Sequence, residues 1–265
     1  MVEREEWVGT DSEIAKAWNG LVPVIEAWQK RVDTRESLDI AAGSSLAADD
    51  EHSKPCEVSY SVDSNIHVAV DHLHAVKVLV HDSKVLHTMA PFTLVRGALE
   101  SLSAAFWILH PTSRTERITR SLLWSAKNYK DQRTAFTPLE LDPSAYGGLK
   151  PRMDSIFEVA ARRGIPNEDV DRRLFSTDVV LYVDERMDAL QIAFIWRLCS
   201  GFAHGRPWAI LGSSHKEERE PLRPDTVALR LSADPERVVI AVAQAVALLN
   251  TVAELRQLRA TNHLG

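Results

Sequence analysis

The stretch PFTLVRGALESLSAAFWILHP (Pro91–Pro111) decides the fold class. Phe92, Val95, Leu99, Leu102, Phe106 and Leu109 recur at intervals of three and four residues. A helix turns by ~100° per residue, so these side chains form one apolar stripe. Pro91 is tolerated in a first helical turn, where its missing N–H costs nothing, and Pro111 marks the stop. Two charges interrupt the run: Arg96 and Glu100, four residues apart and able to pair. A pair set among apolar residues is costly unless it fixes registry or serves a site. The two are therefore read as a structural ion pair or as one wall of a ligand cleft.

The same period recurs along the chain. A first helix is expected over Asp11–Val32, carried by Ile14, Trp18, Leu21, Ile25 and Trp28, with Pro23 kinking or splitting it. Others are expected over Asp63–His81, from Thr112 or Ser113 to Phe136, over Arg152–Arg163, Asn167–Leu174 and Asp184–Ala203, and from Asp234-Pro235 to Ala260. The polar, small-residue run TRESLDIAAGSSLAADDEHSKPCEVS reads as a linker, and TPLELDPSAYGGLKP and GSSHKEEREPLRP read as loops. Only DTVALRLS alternates like a strand. No fixed-period repeat is visible. The expected architecture is an all-α helical bundle with at most one short β element near the C-terminal third. It divides into an N-terminal helical arm (1–32), a mobile linker (33–62) and a bundle domain (63–265).

Composition narrows the function classes. Of 265 residues, 45% are hydrophobic and 26% charged, enough apolar material for a full core. The net charge of −6 is unlike that of a nucleic-acid coat protein, so polyanion binding would need a local basic patch. The two cysteines, Cys56 and Cys199, show no metal-ligand spacing and point to a reducing, cytoplasmic setting. The acidic start MVEREEWVGT lacks the order of a signal peptide, and the apolar run VVIAVAQAVALL is short for a bilayer. A soluble protein without membrane contact is expected. No Walker loop, dinucleotide fingerprint, HExxH or GxSxG occurs, so no cofactor is expected.

FIWRLCSGFAHGRPW (Phe194–Trp208) holds the leading functional candidates. Arg197 and His204 are seven residues apart, hence ~20° apart around a helix and ~10.5 Å along it. Ile192, Ile195, Cys199 and Phe202 lie on the other side, expected to face the core. Ala193, Ser200 and Gly201 give the Arg/His side a floor of small residues, and Ser200 lies one turn before His204. Such a floor would admit a ligand or a second helix. The bland alternative is a histidine beside a helix end stopped by Gly205 and Pro207. Imidazole is the usual acid–base group near neutrality, and guanidinium holds phosphate through a planar fork. Together they could cleave RNA without metal, the 2′-hydroxyl acting as nucleophile.

RLCSGFAH (Arg197–His204) resembles the pattern of the HEPN superfamily, an arginine followed after four to six residues by a histidine. These are helical-bundle proteins of prokaryotic defence and toxin systems. The elements Arg96-Gly97-Ala98-Leu99-Glu100, RTERITR (Arg114–Arg120) and Ser200-x-x-x-His204 also look like those of a group of bacterial helical proteins of unknown function. The resemblance spans roughly Asp63–Pro207. It implies a homodimer in which two copies of the Arg/His helix meet at one cleft. It also implies metal-independent endoribonuclease activity, with His204 as acid–base group and Arg197 as phosphate contact. Other members have no known activity and bind ligands or partners. Leu198 stands where active nucleases often carry a polar residue.

Two further constellations compete. Arg114, Arg117 and Arg120 share a helix sector and read as a phosphate-tracking patch or a solvated face. Asp63, His67, Asp71, His74 and His81 fall within a sector of ~80° on an expected helix. His67, Asp71 and His74 are the candidates for a metal site, although no second Glu-x-x-His motif follows and the stripe should face outward. No local signature supports a serine nucleophile. Three readings stand: a HEPN-type ribonuclease acting on RNA, a non-catalytic interaction or ligand-binding protein of the same fold, and a metal-binding helical protein.

Overall fold

The computed structural model describes residues 12–34, 38–139 and 149–263. Among them the chain is mostly α-helical, with one two-stranded sheet: α1 (Ser12–Thr34), α2 (Ser45–Ser53), α3 (Val58–Val76), α4 (Ala90–Leu109), α5 (Arg114–Phe136), α6 (Leu149–Arg162), α7 (Asn167–Asp171), α8 (Ser176–Asp184), α9 (Ile192–Ala203), α10 (Pro207–Ser213), β1 (Ser214–Arg219), β2 (Ala228–Ala233) and α11 (Pro235–Ala260). The all-α helical fold expected from the periodicity is what forms. The chain falls into two compact units, one of Met1–Glu36, His67–Leu102 and Asp184–Asn250, the other of Ser37–Ile66, Ser103–Val183 and Thr251–Gly265.

In the first unit, α1 is no free arm. Trp18 and Ile25 are fully buried, Trp18 lies 5.8 Å from the His81 ring, and Glu26 accepts an ion pair from Lys77 at 2.7 Å. Lys77 and His81 belong to a π-helical turn, Lys77–Asp82, that prolongs α3. Lys77 also pairs with Asp82 at 2.8 Å, so its buried ammonium is held by two carboxylates. Pro23 does not end α1, which runs through it. The carbonyl that loses its bond belongs to Asn19, and both residues are exposed, where water can replace the partner.

The helix expected over Asp184–Ala203 begins only at Ile192, as α9; Asp184 is the last residue of α8, and 185–191 are not helical. The Asp184 carboxylate accepts the backbone N–H of Ala193 at 2.9 Å, and Gln244 accepts that of Gln191 at 3.0 Å. These bonds satisfy amides that a helix start leaves open. The charged segment SHKEER, expected as loop, is β1. It pairs antiparallel with β2, Ser214 opposite Ala233 through Arg219 opposite Ala228. All its residues but Ser214 are exposed, so no apolar alternation advertises it; the cross-strand Glu217–Arg230 pair does part of the matching.

In the second unit, α5 packs against α2, α6 and α7. The segment 33–62, expected as a linker, instead carries α2 and the start of α3. Ser44 caps α2 by accepting the Ala47 N–H, and Asp50 accepts the Ser59 N–H at 2.9 Å in the first turn of α3. Burial raises the Asp50 carboxyl above its ordinary range against that hydrogen bond. The chain before α2 closes the end of α11: Ala41 N–H donates to Ala260 O at 2.9 Å and Asn262 to Ala42 O at 3.1 Å. Gly43, at φ +79°, sits under Asn262, whose Nδ2 would be 3.0 Å from an added Cβ.

Asp49 explains why this polar segment is fixed. Its side chain is 0% exposed and meets Arg117, 2% exposed, through Nε–Oδ2 at 2.5 Å and Nη2–Oδ1 at 2.8 Å. Arg117 Nη1 donates to the carbonyls of Pro111 and Thr112. A second bidentate pair joins buried Arg256 to Asp63 at 2.6 and 2.9 Å, with Leu38 O taking another bond.

By length and composition α4 and α11 are apolar enough to cross a membrane, and each buries half or more of its apolar stretch within the fold. The run VVIAVAQAVALL is thus part of a helix longer than its own span suggests. Core helices pass the same test.

Removing one partner of a buried ion pair typically costs ~3–5 kcal/mol. Arg117→Met should therefore lower the urea midpoint sharply, and adding Asp49→Leu should recover most of the loss. Equal stability of Arg117→Met and wild type in urea titration would contradict the role given to this pair.

Candidate functional site

Arg197, Ser200 and His204 lie on α9 and its C-cap in the first unit. Buried Ile192, Ile195, Cys199 and Phe202 anchor the core side, as their spacing predicts, and Ala193, Trp196 and Leu198 are buried too. Phe202 stacks on Phe92 of α4, ring centres 4.0 Å apart and planes within 7°. Arg197 and His204 are exposed and Ser200 is half-buried. Among the described residues neither the Arg197 guanidinium nor the His204 imidazole has a hydrogen-bond or ion-pair partner. Leu198, at the position polar in many nucleases, is part of the buried side.

The helix end is built from backbone alone. The Arg206 N–H donates to Gly201 O at 2.8 Å and the Gly205 N–H to Phe202 O at 3.2 Å, with Gly205 at φ +64°. This is the Schellman closure, which needs a residue in the left-handed region and so favours glycine. His204 is the C-cap, its ring free of the capping itself, where a cation would suit the negative helix terminus.

The floor of small residues has a different tenant from the one expected. A Cβ on Gly201 would lie 2.5 Å from Ala209 Cβ and 3.0 Å from the Trp208 ring. Gly201 therefore admits α10 of the same chain rather than a partner helix or ligand. Ala193 is likewise buried. The open surface of this helix also includes large apolar groups: Phe194 is 54% exposed, and Trp208, whose ring packs over Gly201, is 57% exposed. The spacing that singled out Arg197 and His204 did not single out these two; a period-based reading assigns large apolar residues to the core.

Arg96 and Glu100 pair at 3.0 Å, and Glu100 also accepts the Trp196 Nε1–H at 3.4 Å. The Arg96 guanidinium stands 5.6 Å from the Trp196 ring centre. The pair thus ties α4 to α9 through Trp196, about 100° round the helix from Arg197. Gly97 between them makes room for His72, whose Cδ2 would be 2.4 Å from an added Cβ. Cys199 is no nucleophile: burial pushes its thiol up to about 12, against the smaller opposite influence of Arg96.

The expected phosphate patch of Arg114, Arg117 and Arg120 is not presented. Arg117 is consumed by Asp49 and two carbonyls. Arg120 bonds Glu116 at 2.8 Å and Trp107 O at 2.7 Å, and lies over the Trp107 and Tyr182 rings. Arg114 reaches Asp49 at 3.3 Å. All three brace the second unit. The metal candidates also fail to converge: among the described residues no group of three His, Cys, Asp or Glu could hold an ion. Asp63 is committed to Arg256, His81 contacts Asp82 at 2.9 Å, and Asp71 is 84% exposed beside His72. His67 and His74 are half-buried without a third ligand.

Two measurements probe this packing. Gly201→Ala should destabilise by about 1–3 kcal/mol through overpacking, although alanine is the better helix former. Gly20→Ala in α1, where nothing lies within 4 Å of the added carbon, should not destabilise. With a thiol-reactive disulfide at pH 8, Cys56 should react in the folded protein and Cys199 only after unfolding. Comparison of the chain with protein-family models, curated proteins and solved structures returns no match.

Proposed function

We propose that the chain is a metal-independent endoribonuclease of HEPN type, acting as a homodimer through the face of α9 that carries Arg197 and His204. The observation that carries the reading is that these two groups are exposed and, among the described residues, unpartnered, on an otherwise anchored helix. The other arginines singled out from the sequence, Arg96, Arg114, Arg117 and Arg120, are engaged in ion pairs. In the proposed reaction, His204 takes the proton of a ribose 2′-hydroxyl or gives one to the departing 5′-oxygen. Arg197 holds the phosphate and the charge that grows on it. The bond formed is 2′-oxygen to phosphorus; the bond broken is phosphorus to 5′-oxygen. A toxin or defence setting is the context the resemblance suggests.

A second reading is favoured by the apolar rim. Phe194 on α9 and Trp208, packed over Gly201, are both more than half exposed and suit a protein contact as well as a catalytic one. On that reading α9 is a docking face for a second copy or another partner, without chemistry.

Single-stranded RNA incubated with the protein in chelator should be cut to products with 2′,3′-cyclic phosphate ends. His204→Ala and Arg197→Ala should each reduce cleavage by ~100-fold or more, the scale of a lost acid–base or charge-stabilising group. Cleavage that persists fully in His204→Ala would sink the nuclease reading. No cleavage by the wild type, combined with a dimer that Phe194→Glu dissociates, would favour the interaction reading.

A further inference from the structure

A different region carries a basic cleft that shares no residue with the Arg197/His204 face. In the second unit, the C-terminal half of α5 and the turn between α7 and α8 line an open cleft of about 400 Å³. Lys127 and Lys130 line it from α5, and Arg172 and Arg173 from the turn. The one carboxylate in its lining is Asp131. Four cations against one acid, on a chain of net charge −6, is a local reversal of sign.

The cations are placed, not merely near. Lys130 is pinned to the Asp171 carboxylate at 2.6 Å and to its backbone carbonyl. Lys127 pairs with Asp131 one turn on, at 2.5 Å. Arg173 is held over the Phe175 ring, 4.4 Å from its centre. Arg172 has no ion-pair partner among the described residues and is exposed at the rim. Even counting Asp171, the site keeps an excess of positive charge. Phe175 lines the same cleft and is 47% exposed, an aromatic surface that folding leaves uncovered.

We propose that this cleft binds a nucleoside polyphosphate. The phosphates lie against Arg172, Lys127 and Lys130, and the base stacks on the face of Phe175 that the Arg173 guanidinium does not cover. The volume is that of a small-molecule site rather than of an extended strand. Guanidinium and ammonium groups recognise phosphate by charge-assisted hydrogen bonds. A half-open aromatic ring accepts any base through its face. Adding charged phosphate also relieves the repulsion among the four cations, so occupancy should stiffen the turn 172–175.

Titration calorimetry of the full chain with ATP and, separately, with inorganic tripolyphosphate tests this in low-salt, magnesium-free buffer. ATP should bind saturably and more tightly than tripolyphosphate. Arg172→Ala and Lys127→Ala, both at exposed or half-exposed positions, should each weaken both ligands ~10-fold. Phe175→Ala should weaken ATP ~10-fold and leave tripolyphosphate unchanged. Circular dichroism and the urea midpoint confirm that each variant is folded. Absence of heat with ATP at millimolar concentration, or ATP affinity unchanged in the Arg172 and Lys127 variants, would overturn the site. Equal affinity for ATP and tripolyphosphate, unaltered by Phe175→Ala, would overturn the nucleotide assignment. None of these outcomes depends on whether the Arg197/His204 face cleaves RNA.

Discussion

A carboxylate with no exposed surface must be neutralised where it stands, and Asp49 meets this demand with Arg117. The bidentate fork fixes both distance and angle, so α2 cannot slide along α5 without stranding a charge. The remaining guanidinium protons tie off the carbonyls of Pro111 and Thr112, just where the chain turns from α4 into α5. Arg259 reaches the same Pro111 carbonyl from the end of α11, and its own burial lowers its affinity for a proton. A polar segment that buries little apolar area is held in place by directional bonds instead.

The arginines of this chain divide by what they have been given to hold. Arg117 and Arg256 are interior struts, each bidentate to an aspartate. Arg96 and Arg120 lie half-way, paired with a glutamate and lying against tryptophan. Arg197 and Arg172 have no ion-pair partner among the described residues; Phe194, exposed, lies three residues before one on α9, and Phe175, exposed, shares a cleft lining with the other. Charge alone does not separate the groups, since all are cations on helices or turns. Burial and the presence of a carboxylate within reach do, and these follow from tertiary structure.

That division also shows what the sequence could disclose. Apolar stripes such as Phe92 to Leu109 and Trp18 to Trp28 disclose the helices, because burial of one face imposes their period. The exposed placement of Arg197 and His204 was legible for the same reason, as the complement of Ile192, Ile195, Cys199 and Phe202. The use of Gly201 was not: a small residue marks a close approach without saying by whom, and the visitor is α10, eight residues on. Segment 33–62 reads as a linker because α2 is held by Asp49, Asp50 and Ser44, polar residues whose partners no local pattern reveals. The break between Asp184 and Ile192 was hidden for a like reason, since an aspartate reads as a helix residue or a cap with equal ease. The basic cleft is assembled from Lys127 and Arg172, forty-five positions apart, which no local pattern links.

The Schellman closure at Gly205 has a geometric consequence for the face beside it. Because the last carbonyls of α9 are locked to Gly205 and Arg206, the fraying that usually softens a helix end is suppressed there. Arg197 and His204 thus sit on a stiff ruler, their Cα atoms ~10.5 Å apart along the axis. That spacing is set by backbone bonds and not by any contact between the two side chains. Anything that touched both would have to fit a separation the helix end has already fixed.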